Sequence, residues 1–588
     1  MSLNSMSNPQ IDEAMMELKS ILVKEMIDGS HWEGHLSSSA LSNATALSAL
    51  SFSNAPEDGE KLHAGLEWLF VHQNSDGGWG DTTDSPSNLS TTLLVNAAFR
   101  LNEKRVSELK HPPVNNALQG MKAWLNKALT NYDGDVARGV LELYGADRTF
   151  SAPILMNCAL AGLVDWRCVP DLPYELAAVP QGLFKFLKLG VVSYALPALI
   201  AIGMLVEQRK PTANPFSGAF RQVCIPKVME KLQEIQPSHG GFLDATPLTS
   251  FVAMALANRF DPQHPINQKC FSFLRWSMRP DGSWPIDTNL SVWITSHIFG
   301  LFEWIGFPSE IQPLPIKEWL YGRRQLVRHP YTGADPGGWG WNHHPGSVPD
   351  ADDTSAVLIA LYRHQGEARE WEGLKWLLRL QNNDGGWPTF CKGWSGLPFD
   401  RSCPDITAHA LRAISPYAKV TSHLNVSNSI RRGLEWLKKN QHEDGSWVPL
   451  WFGNQYAPNG ENRVVGTSRV LLALGELNEL KEEREKGIHY LLNVQNDDGG
   501  WGGGKGISPT MEETSLSVIA LLACGHIREA ERGVEYLLGG CRSRAYENPA
   551  PIGLYFTSLW YSEKLYPIIW TLEALGRYKL QKNEMIHG

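Results

Sequence analysis

The segment GLKWLLRLQNNDGGW (373–387) belongs to a repeat that decides the fold of this chain. Each close copy has glycine at its first position, an aromatic residue three positions later, glutamine at the ninth and tryptophan at the fifteenth. A fixed unit that recurs along a chain indicates a repeat architecture. The other close copies are GLEWLFVHQNSDGGW (65–79), GLEWLKKNQHEDGSW (433–447) and GIHYLLNVQNDDGGW (487–501), and degenerate copies are VMEKLQEIQPSHGGF (228–242) and CFSFLRWSMRPDGSW (270–284).

Each repeat predicts a helix followed by a tight turn. Its first half, such as GLKWL, places apolar residues at helical spacing, and the helix ends at Asp-Gly or Gly-Gly, where glycine tolerates positive φ. The glutamine side chain can bond to nearby backbone, and the tryptophan N–H can reach a carbonyl. We therefore expect the repeat tryptophans to anchor helix ends and to have no contact with a substrate.

The remainder of the chain is also helical in pattern. Stretches such as GTSRVLLALGEL (466–477) lie between the repeats, and sustained β alternation is almost absent. The sequence predicts an all-α fold in which helix pairs close into α/α barrels. The proline-rich stretch PSEIQPLPIKEW (308–319) separates a region dense in repeats, 373–501, from a sparser region before residue 285, which indicates two barrels that meet near residue 305.

Charge and cysteine content exclude several partners and cofactors. The 588 residues carry 53 Lys and Arg against 62 Asp and Glu, a net charge of −9, with no basic run, so we expect no nucleic-acid partner. The eight cysteines include no CxxC pair, and no histidine cluster has ligand spacing. We expect no metal site, no cofactor and no disulfide framework, which fits a reducing cytosol.

The targeting signals predict a cytoplasmic protein. The first 20 residues lack the basic and apolar regions of a signal peptide. One uncharged segment, LGVVSYALPALIAIGMLV (189–206), has 18 residues, at the short end for a spanning helix, and contains Pro197. We interpret it as a buried helix. Lys185, Lys188 and Arg209 near its ends would allow weak peripheral association with the inner face of a membrane.

A second informative stretch is Asp350-Ala351-Asp352-Asp353, with three carboxylates in four residues before a small and apolar run. A helix that begins here has Asp350 near its N-cap and an apolar face turned inward. Like charges held together in an apolar setting cannot all stay ionised cheaply. We therefore expect at least one of these carboxyls to be neutral and to serve as a proton donor.

The glutamine–tryptophan repeats together with DADDT (350–354) resemble those of the squalene–hopene cyclases and related class II terpene cyclases, from about residue 30 to ALGRYK (574–579). The resemblance implies two α/α barrels, one inserted near the N-terminus of the other, with a hydrophobic cavity between them. We therefore expect one barrel from 1–30 and 306–588 and an inserted barrel from 31–305. It also implies an isomerase that protonates and cyclises a linear polyprene, or a hydro-lyase type where the product is hydrated.

The resemblance implies roles for the acidic motif and for one histidine. Asp352 matches the aspartate that protonates a terminal alkene, and Asp350 and Asp353 match the neighbours that tune its acidity. An alkene is a very weak base, so the donor has to be neutral, strongly acidic and shielded from water. The family's partner histidine follows Thr-Ala, as His409 does, and a protonated His409 would favour ionised Asp352. Asp405, four residues earlier on the same helical face, is in reach of a hydrogen bond to His409.

Carbocations require walls that attract positive charge and offer no reactive lone pair, which aromatic rings provide. Trp341 stands where the family has phenylalanine, and Trp293 matches a family tryptophan in a Val-Trp dipeptide. Trp166 and Trp451 resemble family cavity tryptophans by position, and the C-terminal stretch IGLYFTSLWYSEKLYP (552–567) supplies further aromatic residues. The expected cavity residues are Trp166, Trp293, Trp339, Trp341, Trp451, Tyr555, Phe556, Trp560 and Tyr561.

Three departures from the family bear on the substrate. Ile294 stands where squalene–hopene cyclases usually have aspartate, the segment between Trp387 and Asp405 is short, and residues 207–232 are shorter than the family's membrane-inserting segment. These departures leave two substrate classes open: squalene, or a smaller and more polar polyprene such as a prenylated aromatic acid or a diterpenyl diphosphate. No DDxxD motif is visible, so we expect no initiation by diphosphate ionisation.

Other functions fit the sequence less well. A protein-prenyltransferase-type α/α barrel would need a zinc site, and polysaccharide-processing barrels lack this repeat. A non-catalytic module that binds lipids or proteins explains the tryptophans and leaves the acidic triplet unexplained. Ring number, stereochemistry, the choice between proton loss and water capture, and the choice between monomer and homodimer stay open at the level of sequence.

Overall fold

The computed structural model describes residues 8–109, 114–145, 148–179, 196–330, 332–364, 370–391, 400–418, 425–554 and 559–587. Its α-helices are Asn8–Glu25, Ala40–Leu50, Asp58–Val71, Leu89–Leu101, Glu103–Glu108, Val114–Ala128, Val136–Tyr144, Arg148–Leu160, Leu196–Arg209, Pro215–Ile235, Thr246–Arg259, Pro265–Ser277, Ser291–Ile305, Pro313–Gly322, Ala351–Arg363, Trp371–Leu380, Pro404–Ile414, Val426–Lys439, Arg463–Leu477, Lys481–Val494, Met511–Ala523, Ile527–Ser543 and Tyr566–His587. In these ranges the only paired strands are Gly553–Leu554 and Trp560–Tyr561, which run antiparallel.

Six helices form the inner ring of one α/α barrel, which we call the C-terminal barrel. Each packs against the next in chain order, and the last packs against the first. An outer helix covers each of them, and Asn8–Glu25, at the start of the chain, fills one of these outer places against Tyr566–His587. The inner helices are Ser291–Ile305, Ala351–Arg363, Pro404–Ile414, Arg463–Leu477, Met511–Ala523 and Tyr566–His587.

A second ring forms the N-terminal barrel. Its described inner helices also pack in chain order and close on themselves; they are Ala40–Leu50, Leu89–Leu101, Arg148–Leu160, Leu196–Arg209 and Thr246–Arg259. The predicted all-α fold with two α/α barrels is therefore confirmed.

The apolar segment 189–206 begins outside the described residues. Its described part lies in the inner helix Leu196–Arg209, where most side chains are buried. The interpretation as a buried helix is confirmed for that part. Among the helices that the structure describes, none combines the length and apolar character needed to cross a bilayer.

The repeat contacts indicate where the N-terminal barrel is inserted. The Trp32 indole N–H donates to Leu22 O at 2.7 Å, and its backbone N–H donates to Thr295 Oγ1 at 3.0 Å, although 263 residues separate the two. The helix Ser291–Ile305 packs inside the C-terminal ring. The division into 1–30 with 306–588 and 31–305 stays a prediction, and we propose one change to it: the insertion ends before Ser291.

The repeat tryptophans anchor helix ends as expected. The Trp387 indole N–H donates to Leu377 O at 2.8 Å, and the same bond to a carbonyl ten residues earlier recurs at Trp79, Trp284, Trp447 and Trp501. Gln381 donates to Gly385 O at 2.7 Å in its own turn and to Ser429 O at 2.9 Å in the next outer helix. The glutamine thereby joins successive repeats, and φ of Gly385 is +104°, which explains the glycine.

A threonine in each following inner helix holds the same turns. The Trp339 backbone N–H donates to Thr354 Oγ1 at 3.0 Å, four residues into the helix Ala351–Arg363. This bond fixes the first turn of every such inner helix at an equivalent place on the barrel. Equivalent pairs are Trp79 with Thr92, Phe242 with Thr249, Trp387 with Thr407, Trp447 with Thr467, and Trp501 with Thr514.

Replacing Thr514 with valine tests this bond away from the acidic motif. Valine keeps the volume but leaves the Trp501 N–H without its acceptor at 2.9 Å. We expect the free energy of unfolding to fall by about 1–3 kcal/mol, since a buried donor loses its partner. Urea denaturation followed by circular dichroism measures the change, and Thr514→Ser, which keeps the hydroxyl, is the control. Equal stability of Thr514→Val and the unaltered protein would contradict this role.

Candidate active site

A cavity lies where inner helices of the C-terminal barrel begin. Aliphatic and aromatic side chains form most of its wall, and the polar exceptions are the acidic motif, Asp287, Thr389 and two tyrosines. The lining residues are Leu36, Ile286, Asp287, Leu290, Trp293, Trp341, Asp350, Asp352, Asp353, Thr389, Phe390, Ile406, Trp451, Tyr561 and Tyr566.

The acidic motif begins the helix Ala351–Arg363, as predicted. Asp350 is its N-cap, with extended backbone, and its Oδ1 accepts from the Asp353 N–H at 2.8 Å. The hydrogen bond from the Trp339 backbone N–H to Thr354 Oγ1 holds this first turn at the end of the barrel. The three carboxyl-bearing residues are 3%, 9% and 5% exposed in chain order, so none of them can reach bulk water freely.

Asp352 is held by two basic side chains. Its Oδ1 lies 2.5 Å from His409 Nδ1, and its Oδ2 lies 3.4 Å from an Arg469 guanidinium nitrogen. Burial alone would raise the pKa of Asp352, but attraction to Arg469 and to His409, with the hydrogen bond from His409, holds that pKa below its ordinary value. The predicted contact between Asp352 and His409 is present, and Asp352 is a stronger acid than an isolated buried carboxyl.

The two neighbouring carboxyls have the opposite tendency. Burial raises the pKa of Asp350 to about 7, against the effect of its hydrogen bond from the Asp353 backbone. Burial, followed by repulsion from Asp350, raises the pKa of Asp353 well above its ordinary value. Asp353 Oδ1 has no hydrogen-bond partner among the described residues. Both neighbours of Asp352 therefore hold a proton more readily than an exposed carboxyl does, which agrees with the expectation that the three groups do not all ionise.

His409 differs from expectation in two ways. Burial lowers its pKa more than the Asp352 carboxylate raises it, so the ring is not held permanently cationic. The expected hydrogen bond from Asp405 is also absent from the bonds found in the described chain: Asp405 Oδ1 accepts from Cys403 Sγ at 2.5 Å. His409 uses its Nδ1 for Asp352, and the fixed positive charge comes from Arg469.

Arg469 is the site residue that the sequence analysis missed. Its guanidinium carbon lies 4.7 Å from the Phe452 ring centroid and 5.5 Å from that of Trp293, and its side chain is 10% exposed. Aromatic faces and one carboxylate compensate this buried cation. The sequence did contain a signal for it: Arg469 is the only basic residue in GTSRVLLALGEL (466–477). It follows by two positions Thr467, whose hydroxyl accepts from the Trp447 N–H.

Four of the predicted aromatic residues line the cavity: Trp293, Trp341, Trp451 and Tyr561. Trp451 donates its indole N–H to the Tyr561 hydroxyl at 3.1 Å. Phe390 and Tyr566 complete this wall and were not predicted. Phe390 lies in the short segment that departs from the family, and its ring centroid is 5.2 Å from that of Trp451.

Three predicted aromatic residues do not line this cavity. Trp339 is a repeat tryptophan: its indole N–H donates to Leu320 O at 2.7 Å, and the Gly-Gly-Trp that marks it was overlooked. Trp166 is half-buried beneath the Arg209 guanidinium, 5.7 Å from its ring centroid. Trp560 packs its ring against Gly453 and Gly460. Tyr555 and Phe556 lie outside the described residues.

The family comparison agrees with this geometry. The squalene–hopene cyclase C-terminal domain matches residues 326–580, and the corresponding N-terminal domain matches residues 15–123. The chain belongs to the squalene–hopene cyclase family of class II terpene cyclases. Membership assigns the chain to a family of cyclases; it does not assign the substrate of any one relative to this chain.

Individual relatives are distant. A squalene–hopene cyclase of Alicyclobacillus acidocaldarius is 25% identical over 607 residues, which cover 89% of this chain and 90% of the relative. A probable squalene–hopene cyclase of Sinorhizobium fredii is 30% identical over 236 residues, 34% of this chain and 35% of the relative, so the match spans about a third of that protein. The ent-copalyl diphosphate synthase from Streptomyces platensis has the same fold, with a TM-score of 0.61 and 19% identity over 97% of this chain and 100% of that one.

Replacing Arg469 with leucine tests the origin of the acidity. We expect the pKa of Asp352 to rise, because its carboxylate loses the nearest permanent cation while burial stays. Infrared difference spectra of the protonated carboxyl band, assigned by its loss in Asp352→Asn, measure the titration. Arg469→Lys keeps the charge and should shift the band less. An unchanged titration in Arg469→Leu would show that Arg469 does not set this pKa.

Proposed function

We propose that the protein cyclises a linear polyprene, and that Asp352 starts the reaction by protonating a terminal alkene. The observation that carries this proposal is a buried carboxyl in an apolar cavity whose conjugate base is stabilised by Arg469 and His409. Such an arrangement stabilises the charge that appears when the proton leaves. An alkene needs this help because it is a very weak base.

The first step moves one proton. The Asp352 O–H bond breaks, a C–H bond forms at the alkene, and the positive charge passes to the neighbouring carbon. The carboxylate that remains has Arg469 and His409 within 3.4 Å and 2.5 Å. Because the same contacts favour ionised Asp352 in the empty cavity, each turnover requires a proton to be returned to it. Asp350 and Asp353, with raised pKa values, keep protons in the same first turn.

Aromatic faces then hold the cation while rings close. Trp341, Phe390 and Trp451 present their side chains to the cavity, with Trp341 and Phe390 in an edge arrangement at 6.5 Å between centroids. Their quadrupoles attract positive charge and offer no base of ordinary strength. Arg469 already lies over Trp293, so the ring face beneath its guanidinium is not available to the substrate.

The non-catalytic binding module is the weaker alternative. A receptor for an apolar lipid gains nothing from three carboxyls in its wall, since burying a carboxyl costs free energy and an apolar ligand offers it no hydrogen bond. Squalene and a smaller or more polar polyprene both remain candidate substrates. The product is an isomer where the final cation loses a proton, or a hydrated compound where water captures it.

Replacing Asp352 with asparagine should abolish the reaction. Squalene, geranylgeranyl diphosphate and a geranylgeranylated hydroxybenzoate are incubated separately with the protein in the absence of Mg²⁺, and products are analysed by mass spectrometry. We expect an isomer or a hydrated product from at least one substrate. Product formation should fall at least about 100-fold in Asp352→Asn, the scale of a lost general acid.

The matched control is Glu512→Gln. Glu512 stands two residues before Thr514, as Asp352 stands two before Thr354, and it is also buried, at 1% exposed, but does not line the cavity. This variant should retain activity. Full activity in folded Asp352→Asn would remove Asp352 as the acid, and no turnover of any polyprene by the unaltered protein would favour the binding module.

We also propose that the helix Pro215–Ile235 makes weak contact with a membrane. Phe216, Phe220 and Val223 share one face and are 88%, 61% and 77% exposed. Phe216→Ser with Phe220→Ser should reduce the fraction that co-sediments with phosphatidylglycerol vesicles. Leu326→Ser with Val327→Ser, at another exposed apolar pair, is the control. Equal sedimentation of both double variants would contradict the proposal.

A further inference from the structure

A fourth carboxyl, Asp287, lies in the cavity wall outside the acidic motif. It belongs to the loop before the helix Ser291–Ile305 and is 3% exposed. Its Oδ1 is fully buried and has no hydrogen-bond partner in the part of the chain that the structure describes. A buried polar group without a partner is destabilising, so its retention in a reaction cavity calls for an explanation.

The loop holds Asp287 in place through its backbone and its neighbours. Asp287 forms a bridge with Ala245, and the adjacent Ile286 carbonyl accepts from the Thr246 N–H at 2.9 Å. On its other side, Asn342 donates to both Thr288 Oγ1 and Asn289 O at 3.3 Å. Rigid anchoring on both sides leaves the carboxyl turned to the cavity.

The same contacts bring Asp287 close to an aromatic part of the wall. Asn342 directly follows Trp341, a cavity residue, so the loop that carries Asp287 packs beside the segment that carries this ring. Trp341 Nε1 and Thr389 Oγ1 are likewise buried without partners among the described residues. The Asp287 carboxyl therefore lies on a loop beside a ring that can hold a cation, and no salt bridge to it is found among the described residues.

An olefin product requires an acceptor for one proton. Ring closure moves the positive charge along the chain, away from the carbon that received the proton from Asp352. An isomeric product forms when a C–H bond beside the final cation breaks and its electron pair becomes a C=C bond. Of the cavity-lining residues listed above, Asp287 is the carboxyl outside the helix of the donor.

We propose that Asp287 is the base that ends the reaction by taking this proton, an inference that rests on the proposed cyclase function. The Asp287 carboxylate gains the proton that the final cation loses, while Asp352 has lost one, so atoms and charge balance over the cycle. The product class is then a cyclic olefin of unchanged mass. A proton passes back from Asp287 to solvent and from solvent to Asp352 after the product leaves.

The electrostatics of the empty cavity favour the end state of this cycle, so the form that starts a turnover, with protonated Asp352 and ionised Asp287, is the minor one. Burial and then repulsion from Asp244 raise the pKa of Asp287 well above its ordinary value, whereas the pKa of Asp352 is lowered. The product-free protein thus favours protonated Asp287 and ionised Asp352, the pattern that one completed turnover leaves. Once ionised, Asp287 is a strong base, because no described hydrogen bond to its Oδ1 stabilises the charge.

The experiment compares product ratios in Asp287→Asn, Asp287→Glu and the unaltered protein. The substrate is whichever of the three polyprenes the unaltered protein converts. In Asp287→Asn we expect substrate consumption that still depends on Asp352. The ratio of the main olefin to other olefins and alcohols should fall at least about tenfold, a smaller change than the loss of a general base usually causes. Asp287→Glu, which keeps a carboxylate, should restore part of the original ratio.

Glu512→Gln is the matched control, since Glu512 is buried but does not line the cavity. It should leave the product ratio unchanged, and thermal melting checks that all variants are folded. An unchanged ratio in folded Asp287→Asn would overturn the inference and leave the cyclase function intact. Complete loss of turnover in both folded Asp287 variants would also overturn it, because Asp287 would then act before the final step.

Discussion

The hydrogen bond between a repeat tryptophan and a threonine of the next inner helix is the constraint on which the site depends. At Trp339 and Thr354 this bond fixes the first turn of the helix that carries Asp352. A frayed helix end would let its carboxyls turn toward water, where they would be ordinary acids. With the turn held, burial acts on all three of them, and their pKa values are then modified by one another and by the side chains of neighbouring inner helices.

Those neighbours divide the protons unequally among similar groups. Asp352 meets His409 and Arg469 from the next two inner helices, whereas Asp353 meets mainly Asp350 and apolar surface. The pKa of one carboxyl is therefore lowered and those of two others are raised within a single turn. A ring of parallel, equivalent helix starts makes this possible, because it brings one side chain from each helix to the same end of the barrel.

The repeat predicted the fold class, because it is a local pattern with fixed spacing. The pairing of Asp352 with His409 spans 57 residues and was predicted from the family resemblance alone. The sequence offered a signal for Arg469 but did not identify its partner, because the contact with Asp352 spans 117 residues. Trp339 was misplaced for a different reason. The loop before Trp339 lengthens its spacing from Leu320 to 19 residues, where the other repeats have ten, so Trp339 did not match the repeat pattern. The boundary near residue 305 stays a prediction. Our proposed shift to before Ser291 depends on the bond from Trp32 to Thr295, which joins positions 263 residues apart.

That separation also explains how one cavity holds an acid and a base without mutual neutralisation. Asp352 belongs to the ring of the C-terminal barrel, and Asp287 belongs to the loop through which the chain returns from the N-terminal barrel. Different elements anchor the two carboxyls, so burial and local charge can act on each independently. Placed in adjacent positions of one helix turn they would share a proton, as Asp350 and Asp353 tend to do. The loop that carries Asp287 thus supplies, besides a part of the cavity wall, a carboxyl whose proton affinity is set apart from that of the donor.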